Sequence, residues 1–115
     1  MSKTDLVRAH HMLDAAHEVL EFSTGKSRSD LDIDRMLNLS LVHLLEIIGE
    51  AAVGMSPEFR KKYPQVPWNV IAGMRNRLIH GYYDIDLDIV WKTVERDIPP
   101  LVTDLEKIIA NEEDP

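Results

Sequence analysis

The sequence lacks cysteine altogether and has few glycines, few aromatic residues and no long uninterrupted apolar run. Without cysteine, neither a disulfide framework nor a thiolate metal site can form. The first residues, MSKTDLVRAHHML, are polar and interrupted by charges, unlike a signal peptide. No apolar run approaches the roughly 20 residues that would span a bilayer. These absences predict a cytoplasmic protein that makes no membrane contact.

The length of 115 residues, with 44% hydrophobic and 29% charged residues, predicts one globular domain over residues 1–115. The net charge of −7 argues against indiscriminate nucleic-acid binding, which depends on many phosphate contacts. Charge is nevertheless unevenly distributed, because residues 58–82 carry a net +4. The basic residues of this island are Arg60, Lys61, Lys62, Arg75 and Arg77. A local anion-binding site in an acidic protein is therefore predicted.

Apolar residues recur at alternating spacings of three and four, which is the pattern of amphipathic helices. The pattern predicts a first helix over about residues 4–22 that stops near Gly25. It predicts a second helix, capped by Asp30 or Asp32, that runs to about residue 55 and is the most buried element. Ser56 and Pro57 resemble an N-cap followed by proline at the first helical position, opening a short turn through residue 62.

A third long helix is predicted from Pro67 to about His80, with Gly81 placed to end it. Asp84 or Asp86 can cap a last helix that Pro99 and Pro100 kink or restart before its end near residue 110. No alternation typical of β-strands is present in the sequence. The predicted fold is all-α, an antiparallel four-helix up-and-down bundle with a short extra helical turn and a proline-kinked last helix.

The stretch RNRLIHGYYDID, residues 75–86, concentrates polar chemistry at the end of the predicted third helix. On a helical wheel Tyr82 falls on the core side, whereas Asn76 and His80, four residues apart, can touch on the opposite side. Arg75 lies about 140° from His80 on the same wheel. Arg75 must therefore reach round the helix, the helix must loosen near Gly81, or the two side chains must meet across a symmetric dimer.

These side chains suit a phosphodiester substrate. A neutral imidazole such as that of His80 can take a proton from a ribose 2′-hydroxyl, and an imidazolium can protonate a leaving oxygen. The guanidinium of Arg75 offers a fork of donors to phosphate oxygens, and Asn76 can orient the imidazole or the substrate. This chemistry requires no metal and no cofactor. In the plainer interpretation there is no active site. The histidine near the helix C-terminus interacts favourably with the helix dipole, and the arginines extend to solvent.

The same stretch fits the R-x4-H-x-Y pattern of HEPN-domain proteins and resembles in particular the HepT-like toxins. The blocks IIGEAA (47–52), VPWNVIAGMRN (66–76), HGYYDID (80–86) and IPPL (98–101) agree with that resemblance. It implies a four-helix HEPN bundle, a homodimer with the motif in a cleft at the interface, and metal-independent endoribonuclease activity. It also implies the toxin of a type VII-like toxin–antitoxin system, silenced when a minimal nucleotidyltransferase antitoxin transfers AMP to the motif tyrosine, Tyr82.

Two further groups are candidates for a role at the site. His43, Glu46 and Glu50 form a polar stripe on an apolar helix, but the order His-x-x-Glu without a second copy differs from known di-metal bundles. The stripe is expected to line the cleft or dimer interface, or to pair with Arg75 or Arg77. The second group is the run Arg60, Lys61 and Lys62, which can contact RNA or an acidic partner or can simply be solvated.

Two rival functions come from other classes. One is a non-catalytic HEPN module that binds a nucleotide or a nucleotidyltransferase partner and cleaves nothing. The other is a plain helical interaction protein, in which the polar residues around Gly73 are accidental. The intact Arg75, His80 and Tyr82 favour the ribonuclease.

Overall fold

The computed structural model describes residues 3–80 and 84–113. Helical segments account for most of this part of the chain, which also contains one short two-stranded ladder. The elements are α1 (Lys3–Ser23), α2 (Asp30–Ile33), α3 (Arg35–Val53), α4 (Pro57–Lys62), α5 (Trp68–Ala72), α6 (Met74–Leu78), β1 (Ile79–His80), β2 (Asp84–Ile85), α7 (Leu87–Arg96) and α8 (Ile98–Glu113).

The first helix is confirmed within one residue at each end. Beyond α1, Gly25 has φ of +75°, a left-handed conformation that glycine adopts without steric cost. The amide of Lys26 bonds the carbonyl of Ser23, 3.0 Å away, and closes the turn. A glycine just past the last helical residue is a common way to end a helix.

The predicted start of the second helix is wrong, because the helix is interrupted at Asp34 and forms two separate helices, α2 and α3. Asp34 has an extended backbone, with φ −110° and ψ 95°. Its carboxylate accepts a hydrogen bond from the amide of Leu37 at 3.1 Å, so Asp34 caps the long helix in place of Asp30 or Asp32. Asp30 instead accepts a hydrogen bond from the amide of Ser27 at 2.7 Å and stabilises the preceding turn.

The short α4 is confirmed, with its cap where the sequence places it. The hydroxyl of Ser56 accepts from the amide of Phe59 at 3.2 Å, and Pro57 occupies the first helical position. The buried carboxylate of Asp5 in α1 accepts from the amide of Ser56 at 2.9 Å and from its hydroxyl at 2.6 Å. This contact ties the start of α1 to the start of α4.

The third predicted helix is wrong in its continuity and its end. It is divided at Gly73 into α5 and α6, and α6 stops at Leu78 rather than at His80. Ile79 is extended, with φ −120° and ψ 120°, as suits a β-branched residue. The expectation of no β-structure is corrected by the β1–β2 ladder, which pairs Ile79 with Ile85. Gly81, predicted to end the helix, lies outside the described residues.

The last helix is restarted at the prolines, as predicted. Asp86 caps α7, its carboxylate accepting from the amide of Ile89 at 3.1 Å. After Asp97, α8 begins at Ile98, so Pro99 and Pro100 fall in its first turn, where missing amide donors cost little. The helix continues to Glu113, three residues beyond the predicted end.

The elements form an all-α, HEPN-like four-helix bundle, with α1, α3, α5–α6 and α7–α8 as its four members. Helix α1 packs against α3 and α8, α3 also packs against α5 and α6, and α7 packs against α8 and α6. Fully buried side chains from every long helix fill the core, among them Met12, Leu45, Ile71, Val90 and Leu105.

Helix α3 has the length and the mean hydropathy, 1.5, of a membrane-spanning helix, so the expectation that no segment would reach this length is too strict. Within the described residues it is the one helix that passes this test. However, 56% of its most apolar window is buried inside the bundle, as in the core helix of a soluble protein.

Candidate active site

Arg75 and Asn76 lie on α6, a short helix fixed to the core by two apolar side chains. Met74 and Leu78 are fully buried, whereas Arg75 and Asn76 are exposed. The preceding residue, Gly73, leaves the helical path of α5 with φ −83° and ψ 2°. Because both flanking apolar residues are anchored, the two polar residues are held at the surface rather than on a mobile terminus.

An ion pair joins Arg75 to the stripe on α3. The Nε of Arg75 lies 3.5 Å from Oε2 of Glu46, and the Arg75 side chain is 51% exposed. The two helices approach closely at Gly49, where an added Cβ would lie 3.4 Å from the carbonyl oxygen of Ile71 and 3.9 Å from the amide of Arg75. A small residue at position 49, in the IIGEAA block, therefore lets α3 and α5–α6 come together beside the motif.

His80 lies in the ladder and not on the helix. In β1 it is exposed and stands opposite Asp84 in the antiparallel register. The amide of Asp86 donates to the carbonyl of Leu78 at 2.8 Å, which satisfies the last carbonyl of α6 from a segment eight residues further along. The ladder thus fixes the backbone of the histidine directly after the helix.

The argument for a contact between Asn76 and His80 fails, because it required both residues to lie on one helix. Once Ile79 is extended, the spacing of four no longer places two side chains on one helical face. One of the three ways for Arg75 and His80 to come together required the helix to loosen near Gly81. The helix does end before Gly81, at Leu78. Tyr82, predicted as core-facing and as the AMP acceptor, lies outside the described residues, as does Tyr83.

The polar stripe of α3 lines a groove between α1 and α3. His43 and Glu50 are exposed and Glu46 is half-buried. The groove has a volume of about 400 Å³ and is lined by Arg8, His11, His43, Glu46, Ile47, Glu50 and Ala51. Among residues 3–80 and 84–113, no three or more His, Asp or Glu side chains are grouped as metal ligands. Of the stripe, Glu46 is the member with an observed partner in the motif, Arg75.

Two of the basic residues bind backbone carbonyls. Arg60 donates from Nη2 to the carbonyl oxygens of Ala52 at 2.7 Å and Val53 at 3.1 Å, at the C-terminal end of α3. Arg77 donates from Nη1 to the carbonyl of Val70 at 2.7 Å, on α5. Both guanidinium groups therefore contribute to the packing of these helix ends, in addition to any role toward a ligand.

Lys62 is paired with the last helix. Its Nζ lies 2.7 Å from Oε2 of Glu112, which also accepts a short hydrogen bond from the hydroxyl of Tyr63. Asn111 donates to the same hydroxyl at 2.7 Å. The ammonium of Lys62 and the Tyr63 hydroxyl lower the pKa of Glu112, and burial raises the pKa of Tyr63. No local pattern predicts this cluster, because its two halves are almost fifty residues apart in the chain.

A second groove, of about 330 Å³, runs beside α4 and α5. It is lined by Arg60, Lys61, Pro64, Val66, Pro67, Trp68, Asn69 and Val70. Lys61 is exposed here, and Arg60 approaches Asn69 at 3.5 Å. The groove thus brings part of the basic run to the segment that leads into α6.

Comparison with known proteins identifies the family of the chain. A family profile described as "Ribonuclease HepT-like" matches residues 12–108. The chain is 38% identical to a "putative RNase" of Methanocaldococcus jannaschii, over 92% of this chain and 98% of that protein. It is 38% identical to a "putative RNase" of Caldanaerobacter subterraneus (96% and 98%), and 36% identical to a "probable ribonuclease HepT" of Thermococcus cleftensis (83% and 86%). No solved structure gives a significant match.

Proposed function

Because the chain belongs to the HepT-like ribonuclease family, we propose that it is the toxin of a type VII-like toxin–antitoxin pair and cleaves RNA without a metal ion. Arg75, Asn76 and His80 are the catalytic residues of this proposal. A minimal nucleotidyltransferase is the antitoxin, and the pair acts in the cytoplasm. The main structural support is the exposure of two side chains on neighbouring elements. Arg75 is exposed on α6, and His80 is exposed in the ladder that follows α6 directly.

The proposed reaction is an internal transesterification. The ribose 2′-oxygen attacks the adjacent phosphorus, its proton passes to the neutral imidazole of His80, and the bond from phosphorus to the 5′-oxygen breaks. The leaving 5′-oxygen takes up a proton from the imidazolium form of His80, and the products carry a 2′,3′-cyclic phosphate and a 5′-hydroxyl. Arg75 stabilises the additional negative charge on the phosphate oxygens, and Asn76 orients the substrate.

The exposed side of α3 supports the proposal of a homodimer. Its surface residues repeat at spacings of three and four and include large apolar side chains, with Met36 80%, Leu39 46% and Val53 57% exposed. Glu46, on the same side, contacts Arg75. A second copy packed along this side would bury the apolar residues and enclose the motif in a cleft between protomers.

Silencing by adenylylation fits the chemistry of the motif. The hydroxyl of Tyr82 would attack the α-phosphorus of ATP, with loss of its proton and release of pyrophosphate. The attached AMP would carry a phosphodiester anion two residues from His80, where it would compete with RNA for Arg75. The unmodified protein is then the active ribonuclease.

The deciding experiment is an RNA cleavage assay with purified protein in EDTA. We expect cleavage that leaves 2′,3′-cyclic phosphate ends, lost in His80→Ala and in Arg75→Ala and weakened less in Asn76→Ala, since orientation is easier to replace than proton transfer. Cleavage that stops on chelation and returns with a divalent ion would refute the mechanism. Binding of nucleotide or nucleotidyltransferase without any cleavage would instead favour the non-catalytic module.

A further inference from the structure

The ion pair between Glu46 on α3 and Arg75 on α6 has a consequence for catalysis. We propose that Glu46 is a positioning residue, which holds the guanidinium of Arg75 in the orientation that receives the scissile phosphate. The inference rests on the proposed ribonuclease function and identifies a further residue on which that activity depends. It follows from the atom that Glu46 contacts, from the packing that fixes the two helices, and from the charge of the carboxylate.

The contacted atom is Nε, the guanidinium nitrogen closest to the main chain. Oε2 of Glu46 lies 3.5 Å from it. A guanidinium has five N–H donors in one plane, and only one of them is on Nε. The recorded contact is therefore at Nε and not at the two terminal nitrogens, which together can bind a phosphate through two parallel hydrogen bonds. A carboxylate at Nε thus restrains the orientation of the group while its phosphate-binding edge stays available.

The two helices pack closely at Gly49, where α3 has no side chain. Gly49 follows Glu46 by one helical turn, and a Cβ at this position would lie 3.4 Å from the carbonyl oxygen of Ile71 and 3.7 Å from Cβ of Met74. Met74, next to Arg75 in sequence, is fully buried. The backbones that carry the two charged groups are therefore held by close packing, so the carboxylate marks a fixed point for the guanidinium.

Partial burial makes this restraint more effective than an ordinary surface pair. The Glu46 side chain is 32% exposed and that of Arg75 is 51% exposed. Exposed pairs are screened by water and salt and hold their side chains weakly. Because about two thirds of the Glu46 side chain is covered, its carboxylate is less hydrated than a free surface group.

The negative charge of Glu46 makes it possible to distinguish a role in positioning Arg75 from a role in binding RNA. A carboxylate beside the site repels the phosphates of RNA, so its removal should tighten substrate binding or leave it unchanged. If Glu46 positions Arg75, its removal should lower the rate of the chemical step at the same time, since catalysis depends on geometry within about 1 Å. A fall in kcat without a rise in KM is therefore the signature of this role.

The test compares Glu46→Gln with the parent protein in steady-state cleavage of a short RNA. We expect kcat to fall about tenfold with KM unchanged or lower, as a misplaced catalytic group loses on the order of ten to a hundredfold. Glu18→Gln removes an exposed charge on α1 and is the control, with unchanged kinetics. In Arg75→Lys, which lacks Nε, the further change Glu46→Gln should have no additional effect on kcat.

A measurement without substrate completes the test. The Nε–H proton of Arg75, assigned by its loss in Arg75→Lys, should exchange with water more slowly in the parent protein than in Glu46→Gln. An unchanged kcat, additive effects in the double variant, or equal exchange in the two proteins would overturn the proposal. If the parent protein cleaves no RNA, the proposed function fails instead, and the exchange measurement still reports on the ion pair.

Discussion

Substitution of Gly49 tests whether the close approach of α3 to α5–α6 governs both stability and the position of Arg75. In Gly49→Ala, the new Cβ would lie 3.4 Å from the carbonyl oxygen of Ile71 and 3.7 Å from Cβ of Met74, which is ordinary van der Waals contact. Alanine also gains about 1 kcal/mol of helix propensity over glycine. We therefore expect the free energy of unfolding to be unchanged or raised by up to about 1 kcal/mol.

Gly49→Val places two further methyl groups beyond a Cβ that is already in contact. At least one of them must displace the backbone of α5 or α6, and overpacking of this kind costs about 1–3 kcal/mol. Taking about 4 °C of Tm per kcal/mol for a domain of this size, Tm should fall by about 4–12 °C. The same displacement moves Arg75 away from Glu46, so RNA cleavage should fall by about tenfold at a temperature where the variant is fully folded.

Thermal unfolding followed by circular dichroism gives the first quantity, and cleavage of a short RNA gives the second. Gly49→Ala is the matched control, because it changes the same position without the branched side chain. A valine variant with the parent's Tm and activity would show that the helices are not in close contact at this point. An alanine variant as unstable as the valine variant would refute the distances on which the reasoning depends.

Three other predictions concern the end of α8 and the motif tyrosine. Tyr63→Phe keeps the buried ring but removes the hydroxyl that bonds Glu112 and Asn111, so unfolding experiments should show a loss of about 1–3 kcal/mol. Lys62 lowers the pKa of Glu112 below its ordinary value of 4.5. The ionised Glu112 therefore contributes its full stabilisation of the folded state above pH 4.5, and this stabilisation is lost as the pH falls through the lower pKa of the folded protein. Glu112→Gln should therefore flatten the dependence of Tm on pH below about 5. Tyr82→Phe should remain an active ribonuclease and gain no AMP mass when incubated with ATP and the nucleotidyltransferase; AMP on the neighbouring tyrosine would refute the assignment.

The helices that were predicted correctly are those whose ends are encoded by a local residue. Gly25, Ser56 and Asp86 each act through a conformation or a hydrogen bond within a few residues, so the sequence locates these ends, with Asp84 as the alternative to Asp86. The break at Asp34 was missed because three aspartates lie within five residues and each is a suitable cap. No local pattern in the sequence distinguishes Asp34, the residue that caps α3, from the other two.

In the motif, too, the features that depend on local residue types were predicted, and those that depend on distant contacts were not. The residue types were sufficient to propose phosphodiester chemistry and, through the resemblance, a ribonuclease. The wheel failed at His80 because the helix ends at Leu78, whose carbonyl is satisfied by the amide of Asp86 across the ladder. A helical periodicity carried through Ile79 could not foresee this non-local hydrogen bond. The pairing of Glu46 with Arg75 was among the expected alternatives, since the stripe and the motif carry opposite charges.

The distribution of partners among the basic residues explains how an acidic protein can offer a small site for RNA. Arg60 and Arg77 donate to the carbonyls of helix ends, and Lys62 pairs with Glu112, so three of the five positive charges in residues 58–82 already contribute to the fold. Arg75 differs from the other two arginines, which donate from a terminal guanidinium nitrogen, because the nitrogen nearest its partner is Nε. A protein with a net charge of −7 repels nucleic acid over most of its surface. Such an arrangement favours a catalyst that contacts one phosphate closely over a protein that coats RNA.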